Sequence, residues 1–428
     1  MNTRPVYVVA CVIALLSMPR LSFGQAMAGP KPVPVSRMEI MLALEALKHR
    51  PARLPLSTGD GVSRPPAAAP STASTSPQAG SLGIVNNGRM RSLYLPAELQ
   101  TRGGYGQTSG DTELSYEFST ELFWIVSRLN NCHYCLGHQE SKLKAVGVTE
   151  ETLLALDTDW STFPEKQRAA FEFTRRLTYA PHALGDDQID ALRVHFTDQQ
   201  ILDIAFLVGR YNSTNRWTDS LGIPQEDHRQ YVSSLPAESQ NLASTIATDG
   251  FPAQTVFADF AEWKAEFEKQ SERVPRLALG PFPSSDDVPA HERLLVTISS
   301  AGPAYVAQIQ SARTIGDLPS GLKNKIAYVA AREDHAWYMQ HVSRDRLLRD
   351  GLNDETIFAL LSEPASEGAD SAAISFVRKL TTHPQSMTDR DIQGLQKHFS
   401  DHQIAEIVYH AGVAAILNRV TEVARLGW

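Results

Sequence analysis

Cysteine is nearly missing from this chain. Its 428 residues hold three, at Cys11, Cys132 and Cys135. A scaffold stapled by disulfides between distant elements is thereby excluded. A bond between Cys132 and Cys135 would close a tiny loop and constrain little of the unfolded chain. A stapling role is weak, so redox or metal chemistry is favoured. Basic runs are missing too. The net charge is −8, and an acidic chain without a Lys/Arg cluster is a poor partner for nucleic acid. Beyond about residue 110 no run of period-two alternation argues for a sheet.

What remains is an ordinary globular composition, with 42% hydrophobic and 21% charged residues. A chain of this length buries sizeable cores unaided and makes two or three domains. The N-terminus reads as a secretory signal over 1–24. Arg4 supplies the positive start, and Val6 to Met18 is apolar apart from Ser17. That run suits a signal and is too short to span a bilayer. Cleavage is expected near residue 24 or 26, which makes the protein exported, periplasmic or extracellular. Residues 1–24 hold Arg4 and Arg20 and no acid, so their loss takes the net charge to −10.

Residues 25–92 divide into a helix and a linker. Over 36–50, Ile40, Ala43, Leu44 and Leu47 fall on one helical face. Residues 51–82 are rich in Pro, Ala, Ser and Thr, which predicts a flexible linker. Beyond it the sequence repeats itself. GVTEETLLAL (147–156) matches GLNDETIFAL (351–360), AAFEFTRRLT (169–178) matches AAISFVRKLT (372–381), and LRVHFTDQQILDIAF (192–206) matches LQKHFSDHQIAEIVY (395–409). Asn215-Arg216 matches Asn418-Arg419, at an offset of 204 that becomes 203 after the loop near 160. Matching order with one gap implies duplication. The expected organisation is all-α, with one helical unit over 93–235 and a second over 236–428. Thr197 and Ser400, each followed three residues later by Gln, have the capping-box form. A helix is expected near 257–273, and the leading helices of the second unit over 292–317.

The first unit carries the chemistry. In FSTELFWIVSRLNNCHYCLGHQ (118–139), Phe118, Leu122, Ile125, Leu129, Cys132 and Leu136 form an apolar helical stripe. On one unbroken helix Glu121 and Cys132 would lie about 16 Å apart. Asn130-Asn131 offers a break, since Asn caps helices and tolerates turns. Cys132 would then start a new helix, where free N–H groups stabilise a thiolate, and Glu121 could lie beside it. Cysteines three apart on a helix can also close a disulfide. His138 follows Cys135 by three residues and could move a thiol proton near neutral pH. Zinc wants about four ligands, whereas Cys132, Cys135 and His133 or His138 supply two or three. A c-type haem site wants His directly after the second Cys, and Leu136 is there.

Glu121, the Cys132-His-Tyr-Cys135 motif, His138, the Gly147-Val-Thr-Glu-Glu segment and the Asn215-Arg…Leu221-Gly-Ile-Pro224 ending together resemble the carboxymuconolactone decarboxylase-like superfamily, in its alkylhydroperoxidase-D-like branch. The resemblance covers roughly 110–225 well and 315–426 more weakly. It implies small all-α units that associate as trimers or larger rings, hence a homo-oligomer. It also implies hydroperoxide reduction without a cofactor or metal. Cys135 would attack the peroxide, Cys132 would resolve the sulfenic acid to a disulfide, and an external dithiol donor protein would restore both. Glu121 and His138, with His133 adjoining, would handle the proton. Two departures stand out. Gln139 holds the place of the family His, which falls one residue early here at His138, and Glu121 is one residue closer to the cysteines than is usual.

In the second unit Ala336 and Met339 replace the cysteines and Lys325 replaces Glu121. It cannot do thiol chemistry, and its expected role is structural, with a degenerate pocket as the lesser reading. Two other functions stay open: lactone decarboxylation, as in the cysteine-free branch of the superfamily, and a secreted scaffold with a structural Cys-x-x-Cys.

Overall fold

Apolar residues at helical spacing dominate the chain, and helices are what form. The computed structural model describes residues 33–55, 85–100, 114–227, 231, 239, 241–246, 256–279, 288–298, 301–361 and 368–428. The fold is all-α; the β pairing among the described residues is an isolated bridge between Ser36 and Ala243. No described helix is long and apolar enough to cross a membrane. The expected signal, 1–24, and residues 56–82 of the expected linker lie outside the described residues.

Helix α1 (Arg37–Ala46) opens on a capping box between Ser36 and Glu39 and continues as a 3-10 turn over Leu47–His49. It is the helix expected over 36–50, and it buries Ile40, Met41 and Leu44. Its Arg37 is fully buried and forks onto both oxygens of Glu140, at 2.5 and 2.9 Å. A buried guanidinium needs such a partner, and the pair clamps α1 to the helix that carries Glu140. Helix α2 (Asn87–Tyr94) is capped by Asn86. It runs through the expected boundary at residue 92, and its Arg91 lies 4.6 Å over the Trp217 ring.

A series of six helices follows: α3 (Tyr116–Leu129), α4 (His133–Ala145), α5 (Glu150–Thr158), α6 (Glu165–Tyr179), α7 (Asp186–Arg193) and α8 (Asp198–Ser220). Helix α9 (Phe260–Gln270) lies within the expected 257–273 and donates from Trp263 to Gln340 at 3.2 Å. The expected 292–317 stretch is two helices, α10 (Ala290–Leu295) and α11 (Ala301–Thr314). The six-helix series then recurs as α12 (Ser320–Glu333), α13 (Trp337–Arg349), α14 (Asp354–Ala359), α15 (Ala369–Thr382), α16 (Asp389–Gln396) and α17 (Asp401–Ala424). Both capping boxes form, at Thr197/Gln200 and Ser400/Gln403.

The two long helices, α8 and α17, pack along each other at the centre. Their close approach depends on two glycines. A Cβ on Gly209 would sit 2.9 Å from the Ile416 Cα, and one on Gly412 would sit 2.5 Å from the Ser213 hydroxyl. Gly209 and Gly412 are equivalent positions of the repeat, as are Ser213 and Ile416.

Candidate active site

The chain breaks its helix where the two asparagines stand. Asn130 caps α3, and Asn131 takes the left-handed conformation with φ 51°, which Asn tolerates better than most residues. The Cys132 N–H then bonds back to the Ser127 carbonyl at 2.9 Å. Cys132 becomes the N-cap residue of α4 and Cys135 lies on its first turn. The Asn130 amide donates to Asn212 and Asn215 of α8, at 3.0 Å each. The break is therefore locked to the long helix. The same joint recurs between α12 and α13, where His335 has φ 50° and the Ala336 N–H bonds to the Ala331 carbonyl at 2.8 Å.

Both cysteines are buried thiols. Each sulfur lies 3.1 Å from the same Thr218 hydroxyl on α8. That hydroxyl otherwise donates to the Thr214 carbonyl at 3.0 Å. It has one proton and two lone pairs. It can accept from one thiol and turn its proton to the other sulfur when that one ionises. Burial pushes the Cys135 thiol up, but hydrogen bonds involving Cys132, Thr218 and Asn215 outweigh burial and leave it below the ordinary thiol range. Two guanidiniums add positive potential, Arg50 toward Cys132 and Arg91 toward Cys135.

The expected proton carriers hydrogen-bond to other groups. Glu121 is buried on α3, but its carboxylate accepts from the Gln167 amide at 2.8 Å. Burial raises it to about 7. The bond to Gln167 ties it to α6. The His138 ring lies 2.9 Å from the Tyr134 carbonyl and 3.3 Å from Glu226. Tyr134 donates to the same Glu226 oxygen at 3.2 Å. His133 is buried with its Nε2 2.9 Å from the Asn131 side chain, which holds the left-handed turn. Gln139, where the resemblance expects a His, donates to the Cys135 carbonyl at 3.2 Å. Of the five expected residues, then, Cys132 and Cys135 come together, while Glu121, His133 and His138 bond to other groups.

Reading the sequence alone missed Thr218, Asn215 as a thiol partner, and Glu226. One signal for Thr218 was present. The repeat that pairs Asn215-Arg216 with Asn418-Arg419 also pairs Thr218 with Thr421.

Two curated proteins are similar to part of the chain. The uncharacterized protein YdfG of Bacillus subtilis (strain 168) is 26% identical over 101 residues, 23% of this chain and 68% of that protein. The uncharacterized protein YnjA of Escherichia coli (strain K12) is 23% identical over 104 residues, 24% of this chain and 57% of that protein. No family model matches the chain.

Among the described residues no three His, Cys, Asp or Glu side chains gather as a metal-binding group. The arrangement offers instead two adjacent thiols, a shared hydroxyl and nearby positive charge. That set can form a thiolate and then a disulfide.

Proposed function

We propose that the protein is a thiol-dependent peroxidase, or dithiol–disulfide oxidoreductase, acting through Cys135 and Cys132. The observation that carries this reading is the one Thr218 hydroxyl lying 3.1 Å from both sulfurs at the start of a helix. Two thiols on one hydroxyl are already neighbours, as condensation to a disulfide requires. The Cys135 thiolate attacks the terminal oxygen of a hydroperoxide, ROOH. The O–O bond breaks, the departing alkoxide takes a proton to become ROH, and Cys135 is oxidised to the sulfenic acid. Cys132 then attacks that sulfur, the S–O bond breaks, water leaves, and the disulfide forms. An external dithiol protein returns two electrons and two protons by thiol–disulfide exchange and is itself oxidised.

Cys135 is the attacking thiol in this reading, as the resemblance implies, and hydrogen bonds hold its thiol below the ordinary range. His138 with Glu226 is the imidazole–carboxylate pair closest in sequence to the motif, one turn beyond it. Both sulfurs are buried, with Cys135 2% exposed, so the peroxide enters through a local opening. The same reading takes the chain as an exported tandem duplication of the alkylhydroperoxidase-D-like unit, catalytic in its first copy and self-associating. The repeated helix break supports the duplication.

The test is mass-spectrometric thiol counting before and after about one equivalent of an organic hydroperoxide. Cys132 and Cys135 should pass from two thiols to one intramolecular disulfide as peroxide disappears, and a dithiol should reverse the change. Retained turnover by a Cys135→Ser protein would sink the proposal.

A further inference from the structure

The second helical series carries a small, partly open cleft of about 60 Å³ beside Met339, the residue that replaces Cys135. The corresponding space in the first series is filled. There Phe123 of α3 and Tyr211 of α8 stack with ring centroids 4.0 Å apart and planes 7° from parallel. Their equivalents are Ala327 on α12 and Ala414 on α17, and both line the cleft. Two rings have become two methyl groups. A core that had merely lost them would close up or refill with apolar atoms, because interiors are close-packed and voids are costly.

This space is lined instead by Arg313, Lys323 and Arg346. Arg313 pairs with Glu292, and the Lys323 ammonium donates to the Ala312 and Ile315 carbonyls at 3.2 and 2.7 Å. Arg346 has no hydrogen-bond or ion-pair partner among the described residues. Burial and the neighbouring Arg313 bring it down to about 10 against the opposing pull of Glu292, so it stays a cation at neutral pH with a like charge beside it. Deeper in, His410 Nε2 and Asn418 Oδ1 are buried with no partner among the described residues. Buried polar atoms without partners call for an occupant. Apart from Asn324, whose amide donates to Asp350 at 2.8 Å, the rest of the wall is apolar, with Met339, Ala327, Ala414 and Leu417 among it. Excess positive charge over an apolar floor selects an anion with an apolar body.

We propose that this cleft is a binding site for a small organic carboxylate whose ring-sized apolar body occupies the space left by the two missing rings, with its carboxylate on Arg346. The site does not depend on the dithiol reading.

Calorimetric titration of the full chain with benzoate, against benzamide as the uncharged control, tests it. Saturable one-to-one binding of benzoate is expected, with benzamide at least about tenfold weaker. Arg346→Gln should weaken benzoate by about tenfold or more. The double change Ala327→Phe/Ala414→Tyr restores the pair found in the first series and should abolish binding without altering the circular dichroism or the thiol count. If that variant fails to fold, Arg346→Gln decides alone. The proposal is overturned if benzoate gives no heat up to about 10 mM, if benzamide binds equally well, or if binding survives both variants.

Discussion

Arg216 and Arg419 cross the same seam in opposite directions. The Arg216 guanidinium of α8 donates to the Thr381 carbonyl of α15 at 3.0 Å, and that of Arg419 on α17 donates to the Thr178 carbonyl of α6 at 2.9 Å. All four residues are matched by the repeat. Each arginine thus satisfies a carbonyl in the last turn of a helix in the other series, where the helix dipole welcomes a cation. Reciprocal contacts of this kind are what a two-fold interface makes, here between two stretches of one chain.

The glycines at that crossing should not tolerate change equally. An added methyl at Gly209 meets the Ile416 backbone at 2.9 Å, which cannot swing away. The same methyl at Gly412 meets the Ser213 hydroxyl, the end of a side chain that can rotate. Gly209→Ala should lower unfolding free energy by about 1–3 kcal/mol, and Gly412→Ala by less than about 1 kcal/mol. Urea denaturation of the two variants measures the difference; equal losses would refute the asymmetry.

Thr218 should set the acidity of the dithiol. Thr218→Val keeps the shape and removes the hydroxyl, so the Cys135 thiolate loses a hydrogen bond and its pKa rises. The pH profile of iodoacetamide alkylation should move up by about one unit, which slows reaction at neutral pH about tenfold. Thr218→Ser should keep the parental profile. Superimposable profiles for Val and Thr would remove Thr218 from the site.

Glu121 should make stability fall as pH rises. Its folded-state pKa, about 7, exceeds the ordinary 4.5 because of burial. Between those values the folded chain holds more protons than the unfolded chain, so raising the pH favours unfolding. The contribution is complete below about 4.5 and gone above about 7. Glu121→Gln should flatten this dependence and be more stable than the parent at pH 8, by up to about 3 kcal/mol. Melting curves from pH 4 to 8 provide the check, and an unchanged slope would contradict the assignment.

Local pattern alone determined much of this protein. Apolar spacing placed α1 and α3, Thr197 and Ser400 marked helix starts, and Asn130-Asn131 marked the break that puts Cys132 at a helix start. These features depend on residues within a turn or two of one another, so the linear order contains them. The duplication was legible for the same reason. Only the tertiary structure decided what faces what. Thr218 lies 86 residues from Cys132, and nothing short-range tells which face of α8 meets the sulfurs. Glu121 and His138 have the right chemistry and nearly the right spacing, yet packing gives them to Gln167 and Glu226. The paired loss of Phe123 and Tyr211 in the second series is visible as two alanines in the sequence. That it opens one cleft, lined by arginines from different helices, follows from which helices touch, and burial of the whole chain settles that at once.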